Sequence, residues 1–153
     1  MSETNGQAPL FDDGQTLTAF IAGVDGVHPA ARITFRRWTA GYGRPFTAKI
    51  ERAVTVNAAG VAEPDDEARA KIANEALLGR LFGICSVDAA TGNNIPVPGD
   101  LTPERLDDLH ELLYSKIYLT VKGFKASDPD PQDKTVIPTA EDDLKNSATA
   151  SAT

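Results

Sequence analysis

Cysteine is almost missing from this chain: Cys85 stands alone among 153 residues. An intramolecular disulfide is impossible, and a closed zinc site would find too few sulfur ligands. A lone thiol fits a reducing setting. Histidine occurs twice, as His28 and His110. Neither has a second ligand or base at a recognisable spacing, and a metal or a proton-transfer site needs converging groups. His110, in "DDLHELL", reads as helix surface, and His28 lies in a turn beside Pro29. Cys85, in "GICSV", reads as a small buried hydrophobe. The expectation is no metal and no cofactor.

Long apolar runs are missing too. Nothing approaches the roughly 20 residues that cross a bilayer, so no membrane partner is expected. The opening "MSETNGQAPL" has no basic and no apolar region of a secretory signal. The Rossmann and Walker glycine patterns do not occur, and "GYGR" at 41–44 is too short for a phosphate loop. The acid pairs Asp65–Asp66 and Asp107–Asp108 are adjacent on expected helices, where neighbours do not face each other. The helix dipole explains acids in a first turn. No enzyme signature is left, and the expected function is non-catalytic.

What is present is charge, unevenly placed. The net charge is −7. Residues 1–14 carry three acids and no base, and residues 126–153 carry six acids and two lysines. The stretch between is neutral overall. The expected organisation is a flexible tail 1–14, a single domain 15–125 and a disordered acidic tail 126–153. That tail contains "TVIP", a segment suited to docking when a partner is present.

The fold class expected for 15–125 is α+β. "TLTAFIAGV" (16–24) is rich in β-formers, "DGVHPAA" (25–31) is turn chemistry, and "RITFRRW" alternates. Together they predict an N-terminal β-hairpin over 16–38, with Ile33 and Phe35 facing a core and Arg32 and Arg36 facing water. "TAGYGRPF" (39–46) reads as a loop. Residues 47–56 fit a helix or a strand, and 57–64 is a break. A first main helix is expected over 64–82, with Pro64 in its first turn and Asp65, Asp66 and Glu67 at its positive end. Strands 84–88 and 94–97 make a short second hairpin. A second main helix is expected over 103–123. Thr102 caps it, Pro103 starts it, Leu101 and Leu106 form a staple, and Gly123 stops it. Leu106, Leu109, Leu113, Ile117, Val121 and Phe124 recur at helical spacing as one buried face.

One stretch invites a nucleic-acid reading. Between Gly26 and Ala62 six bases face a single acid, Glu51, with Phe35, Trp38 and Tyr42 interleaved. Arg32, Arg36, Arg37 and Arg44 are the candidate contacts. Strand alternation favours a solvated face whose arginine stems pack on aromatics, so nucleic acid is the disfavoured partner.

The order of pieces carries a resemblance. "AFIAGVDGVHPAARITFRRW", then "LLGRLFGICSVDAATGNNIPVP", then "LTPERLDDLHELLYSKIYLTVKGF" resembles the tail assembly chaperones of tailed bacteriophages and prophages, over about residues 16–126. The resemblance implies a morphogenesis protein of the host cytoplasm. It would bind a long helical tape-measure protein, help recruit tail-tube subunits, and be absent from the finished particle. A homo-oligomer is compatible with it. Contact is expected around Leu106, Leu113, Tyr114, Ile117, Tyr118 and Val121. The alternatives are a small structural tail or neck protein of the virion, and a nucleic-acid-binding accessory protein using Arg32–Arg52.

Overall fold

The computed structural model describes residues 9–132. In chain order the elements are β1 (Thr16–Ile21), β2 (Ala31–Arg36), α1 (Ala40–Arg52), β3 (Val54–Val56), β4 (Ala62–Pro64), α2 (Asp66–Leu78), β5 (Leu81–Val87), β6 (Asn94–Ile95), α3 (Pro103–Leu106) and α4 (Glu111–Lys122). This is a small α+β fold. Strands β1-β2-β5-β6 form one antiparallel sheet in that order, and β3 and β4 form a separate hairpin.

The N-terminal hairpin forms as its alternation predicts. Ala19 pairs with Ile33 and Ile33 with Ile84; Leu17 pairs with Phe35 and Phe35 with Leu81. Side chains alternate along strands, so these residues share one face. They pack against Leu77 of α2, Leu106 of α3 and Leu113, Ile117 and Val121 of α4. Burying each large aliphatic side chain is worth roughly 1.5–3 kcal/mol, which makes this face the main source of stability.

Several boundaries differ from expectation, each for a physical reason. Residues 40–46 are helix, not loop. Thr39 Oγ1 accepts a hydrogen bond from the Tyr42 N–H at 3.1 Å and caps α1. Gly43 serves close approach: a Cβ there would lie 2.5 Å from Trp38 Nε1. Pro45 removes one helical hydrogen bond, and edge-on packing of Tyr42 on Trp38 at 5.1 Å offsets it. The ambiguous 47–56 is both, helix to Arg52 and strand from Val54. α2 stops at Leu78, well before Phe82. Pro64 ends β4, and Asp65 caps α2 by accepting from the Ala68 N–H at 3.0 Å. The Arg80 carbonyl then accepts from the Arg36 N–H at 2.8 Å, drawing the chain into the sheet.

The expected helix 103–123 is two helices. Thr102 caps α3 and His110 caps α4, its Nδ1 accepting from the Leu112 N–H at 3.0 Å. Asp107 and Asp108 therefore lie past the end of α3, outside any first turn. Leu106, Leu113, Ile117 and Val121 are buried, whereas Phe124 is 76% exposed. Gly123, at φ 88°, turns the chain off the helix before Phe124 can reach the core.

Residues 126–132 are packed, not free. The Phe20 N–H donates to Ser127 Oγ at 2.8 Å, the Ala22 N–H to Asp128 at 2.9 Å, and the Asp128 N–H to the Phe20 carbonyl at 2.8 Å. Of the tails expected at 1–14 and 126–153, residues 1–8 and 133–153, with the "TVIP" segment, lie outside the described residues. Among the described residues no helix is long and apolar enough to cross a membrane.

Candidate functional site

The four candidate arginines do not form one stripe. Arg32 is 8% exposed, although alternation placed it in water. Its Nε and Nη2 donate to Asp130 at 2.8 and 2.6 Å, Nη2 reaches the Gly92 carbonyl at 3.1 Å, and Nη1 donates to Asn94. The hydrogen bonds to Asp130 raise the Arg32 pKa, and Asp130 is held below its ordinary value chiefly by Arg32. Arg36 donates to Asp12 at 2.8 and 3.1 Å, with Arg80 at 3.8 Å from the same carboxylate. Asp12 is lowered first by the Gly14 N–H and then by Arg36. Arg44 is exposed on α1. Arg37 is half-buried, and its Nε is shielded from water without a hydrogen-bond partner. Two of the four arginines are thus already neutralised by carboxylates of the same chain.

The expected partner-binding face is largely core. Leu106, Leu113, Ile117 and Val121 are each at most 5% exposed. Tyr114 and Tyr118 are half-buried and stacked, with ring centroids 6.1 Å apart. The Tyr114 hydroxyl donates to Asn74 Oδ1 at 2.6 Å, and burial pushes its pKa up to about 12. Asn74 Nδ2 donates in turn to Asp107 at 2.8 Å and to the Pro103 carbonyl at 3.0 Å. This network ties α2 to α3 and α4, and does not present a surface.

Apolar surface is exposed elsewhere. A cleft of about 640 Å³ lies between residues 9–12, the start of α1 and the last turn of α4. Leu17, Phe35, Trp38 and Val121 line it, with Leu10 and Phe11 at its N-terminal side. Lys122 joins the lining, its Nζ 5.3 Å from the Trp38 ring centroid, 5.1 Å from Tyr118 and 5.8 Å from Phe124. Leu10 is 90% exposed and Phe11 79%. With Phe124 they are the three most exposed large apolar side chains of the described residues. The polar composition of 1–14 hid Leu10 and Phe11, and helical spacing wrongly drew Phe124 inside. The usable signal was the apolar pair "LF" inside an otherwise polar segment.

No family model, curated protein or solved structure matches this chain. The site has to be read from its own chemistry.

The structure brings the two histidines close together. His28 is buried, with its ring centroid 6.3 Å from that of His110. His28 Nδ1 donates to the Pro29 carbonyl at 2.8 Å, which leaves Nε2 to accept from Lys116 Nζ at 3.0 Å. Both ring nitrogens are therefore committed to holding the 22–30 turn against α4. Among the described residues no cluster of three or more His, Cys, Asp or Glu is placed to hold a metal.

Proposed function

We propose that this chain is a non-catalytic binding protein of phage morphogenesis, a tail assembly chaperone that engages a helical tape-measure protein. The observation that carries the reading is the cleft at the end of α4, flanked by Leu10, Phe11 and Phe124 in water. Large apolar side chains left in water beside a cleft mark a candidate interaction site. A tape measure presents apolar helical stripes that need cover before assembly, and an apolar groove takes an amphipathic helix. The order of sequence pieces supports the same reading. The contact surface proposed here is the cleft and its rim, in place of the buried residues of α4.

The test is a tagged pull-down from cells expressing the neighbouring genes, followed by mass spectrometry. Recovery of one long helical protein, with this chain absent from mature particles, is the expected result. Recovery of this chain as a stoichiometric part of purified particles overturns it.

One observation favours a structural virion protein as the second reading. β1 is a sheet edge. Ser127 and Asp128 cover it at Phe20 and Ala22. By strand alternation the backbone groups of Thr16 and Thr18 point the same way as those of Phe20. That half of the edge can accept a neighbour's strand.

A further inference from the structure

We infer that the occupant of the cleft between residues 9–12 and the last turn of α4 is an amphipathic helix whose apolar stripe is bordered by acidic residues. This rests on the chaperone reading for its biological setting, while the chemistry of the occupant is argued from the cleft itself.

Size comes first. The cleft's 640 Å³ lies within the roughly 300–1,000 Å³ of small-ligand sites. A small ligand inside it would still leave Leu10, Phe11 and Phe124 in water at the rim. Only a macromolecular surface covers the floor and the rim together.

Charge comes second. Arg37 and Lys122 both line the cleft. Among the described residues no carboxylate pairs with either. The Arg37 Nε, shielded and unpartnered, is the kind of buried donor that folded proteins rarely leave unmatched. α1 begins at the same place with no acid in its first turn, so its positive dipole end is uncompensated. Asp12, the one acid of the lining, is already held by Arg36 and Arg80. The cleft thus offers apolar surface and positive charge, and its complement is apolar and negative.

The form of the occupant follows from the donors. An extended segment brings backbone acceptors and donors alike, and the latter would face two cations. A helix satisfies its own backbone internally, so only side chains have to match. A second copy of this chain is disfavoured, because an isologous contact sets a patch against itself. A copy of the patch would bring two more cations and, with Asp12 already paired, no free carboxylate to meet them.

The test uses the full chain and two labelled synthetic helices of about 18 residues, long enough to be helical. Both carry leucines at i, i+3, i+4 and i+7; one borders them with glutamate, the other with lysine. Fluorescence anisotropy gives the affinities. The glutamate helix is expected to bind at least about tenfold tighter than its lysine twin. Phe11→Ser with Phe124→Ser should abolish binding while leaving the circular dichroism and melting temperature unchanged, since both side chains are already in water. Arg37→Gln with Lys122→Glu should erase the preference between the twins.

Equal affinity for both helices, or binding untouched by the phenylalanine changes, overturns the inference. So does retention on phosphatidylserine vesicles without helix binding, which would make the patch a membrane contact. A concentration-dependent dimer lost in the phenylalanine variant would assign the cleft to a second copy. The chaperone reading fails separately. If the cleft behaves as stated but no tape measure is recovered, the site stands and that reading falls. If the phenylalanine variant still recovers a tape measure, the cleft falls and that reading stands.

Discussion

Arg32 and Asp130 show how one pair decides the fate of a whole segment. The guanidinium is 8% exposed and the carboxylate side chain 20%. Two parallel hydrogen bonds and two further oxygens satisfy the arginine, the condition under which a buried charge is tolerated. Removing one partner leaves the other buried and unpaired. Asp130→Ala should therefore cost about 3 kcal/mol in urea unfolding at pH 7, and Arg32→Met less, because it leaves no stranded cation in the interior. The pair also sets an acid limit. Asp130 is lowered below 3.8 chiefly by Arg32. Asp128 is lowered as well, burial pushing it up while the Ala22 N–H and Lys125 more than offset that. The folded state thus binds protons less readily than the unfolded state. The stabilisation is fully present above the ordinary carboxylate value, and is lost as pH falls below it through the depressed values. Urea titrations from pH 6 downwards (~pH 6 to 2.5) should show a shallower loss in Asp130→Asn than in the parent chain. An identical slope would remove Asp130 from the acid transition.

Elements differ in how legibly the sequence writes them. The hairpin β1–β2 was readable because turn residues separate two β-rich runs. The cap Thr102 was readable because its chemistry is local; Asp65 reads from the sequence as a first-turn acid and is instead the cap of α2. α1 was not, since Gly41, Gly43 and Pro45 carry loop signals. Only the tertiary contact between Gly43 and the Trp38 indole shows why glycine stands there. The break between α3 and α4 was equally hidden. "DDLH" fits helical spacing, and its departure depends on His110 capping α4 and Asn74 capturing Asp107. Of the site, the sequence showed neither the cleft nor its rim, because Phe11 and Phe124 are more than a hundred residues apart. The junction of α2 and β5 offers a direct check of such contacts. Gly79 has an ordinary helical φ of −67°, so no backbone strain requires glycine. A Cβ there would nevertheless collide with the Tyr42 hydroxyl. That ring cannot easily yield: its hydroxyl donates to the Ala76 carbonyl at 2.6 Å and the Arg80 guanidinium lies 4.1 Å over its face. Gly79→Ala should cost about 1–3 kcal/mol despite alanine's higher helix propensity. Gly79→Ala combined with Tyr42→Phe, which removes the colliding oxygen, should recover part of that loss. A stabilised Gly79→Ala protein would show that the Tyr42 ring moves freely.

At the scale of the molecule, the sheet has two edges, β1 and β6, and its own C-terminal segment covers the Phe20–Ala22 end of the β1 edge. Residues 127–132 cross the outer side of β1, satisfy Phe20 and Ala22, pair Arg32, and reach Asn93 through Gln132. Composition marks this segment as solvated, with two aspartates and two prolines in six residues. The structure uses those aspartates as acceptors for groups that the sheet cannot satisfy alone. Two truncations separate these views. A chain ending at Gln132 keeps every contact that residues 127–132 make with the sheet and serves as the reference. A chain ending at Lys125 loses the Asp130 carboxylate and the cover of β1 together. It should lose at least about 3 kcal/mol, the cost of stranding Arg32. It should also self-associate, because a longer stretch of β1 edge from Thr16 to Ala22 is now open to another chain. Light scattering beside the unfolding curve reads both effects at once. If the shorter chain proves as stable and as monodisperse as the longer, residues 127–132 merely lie against the sheet. If it is destabilised yet stays monomeric, the strap acts through Arg32 alone and the β1 edge is guarded by Thr16 and Thr18 themselves.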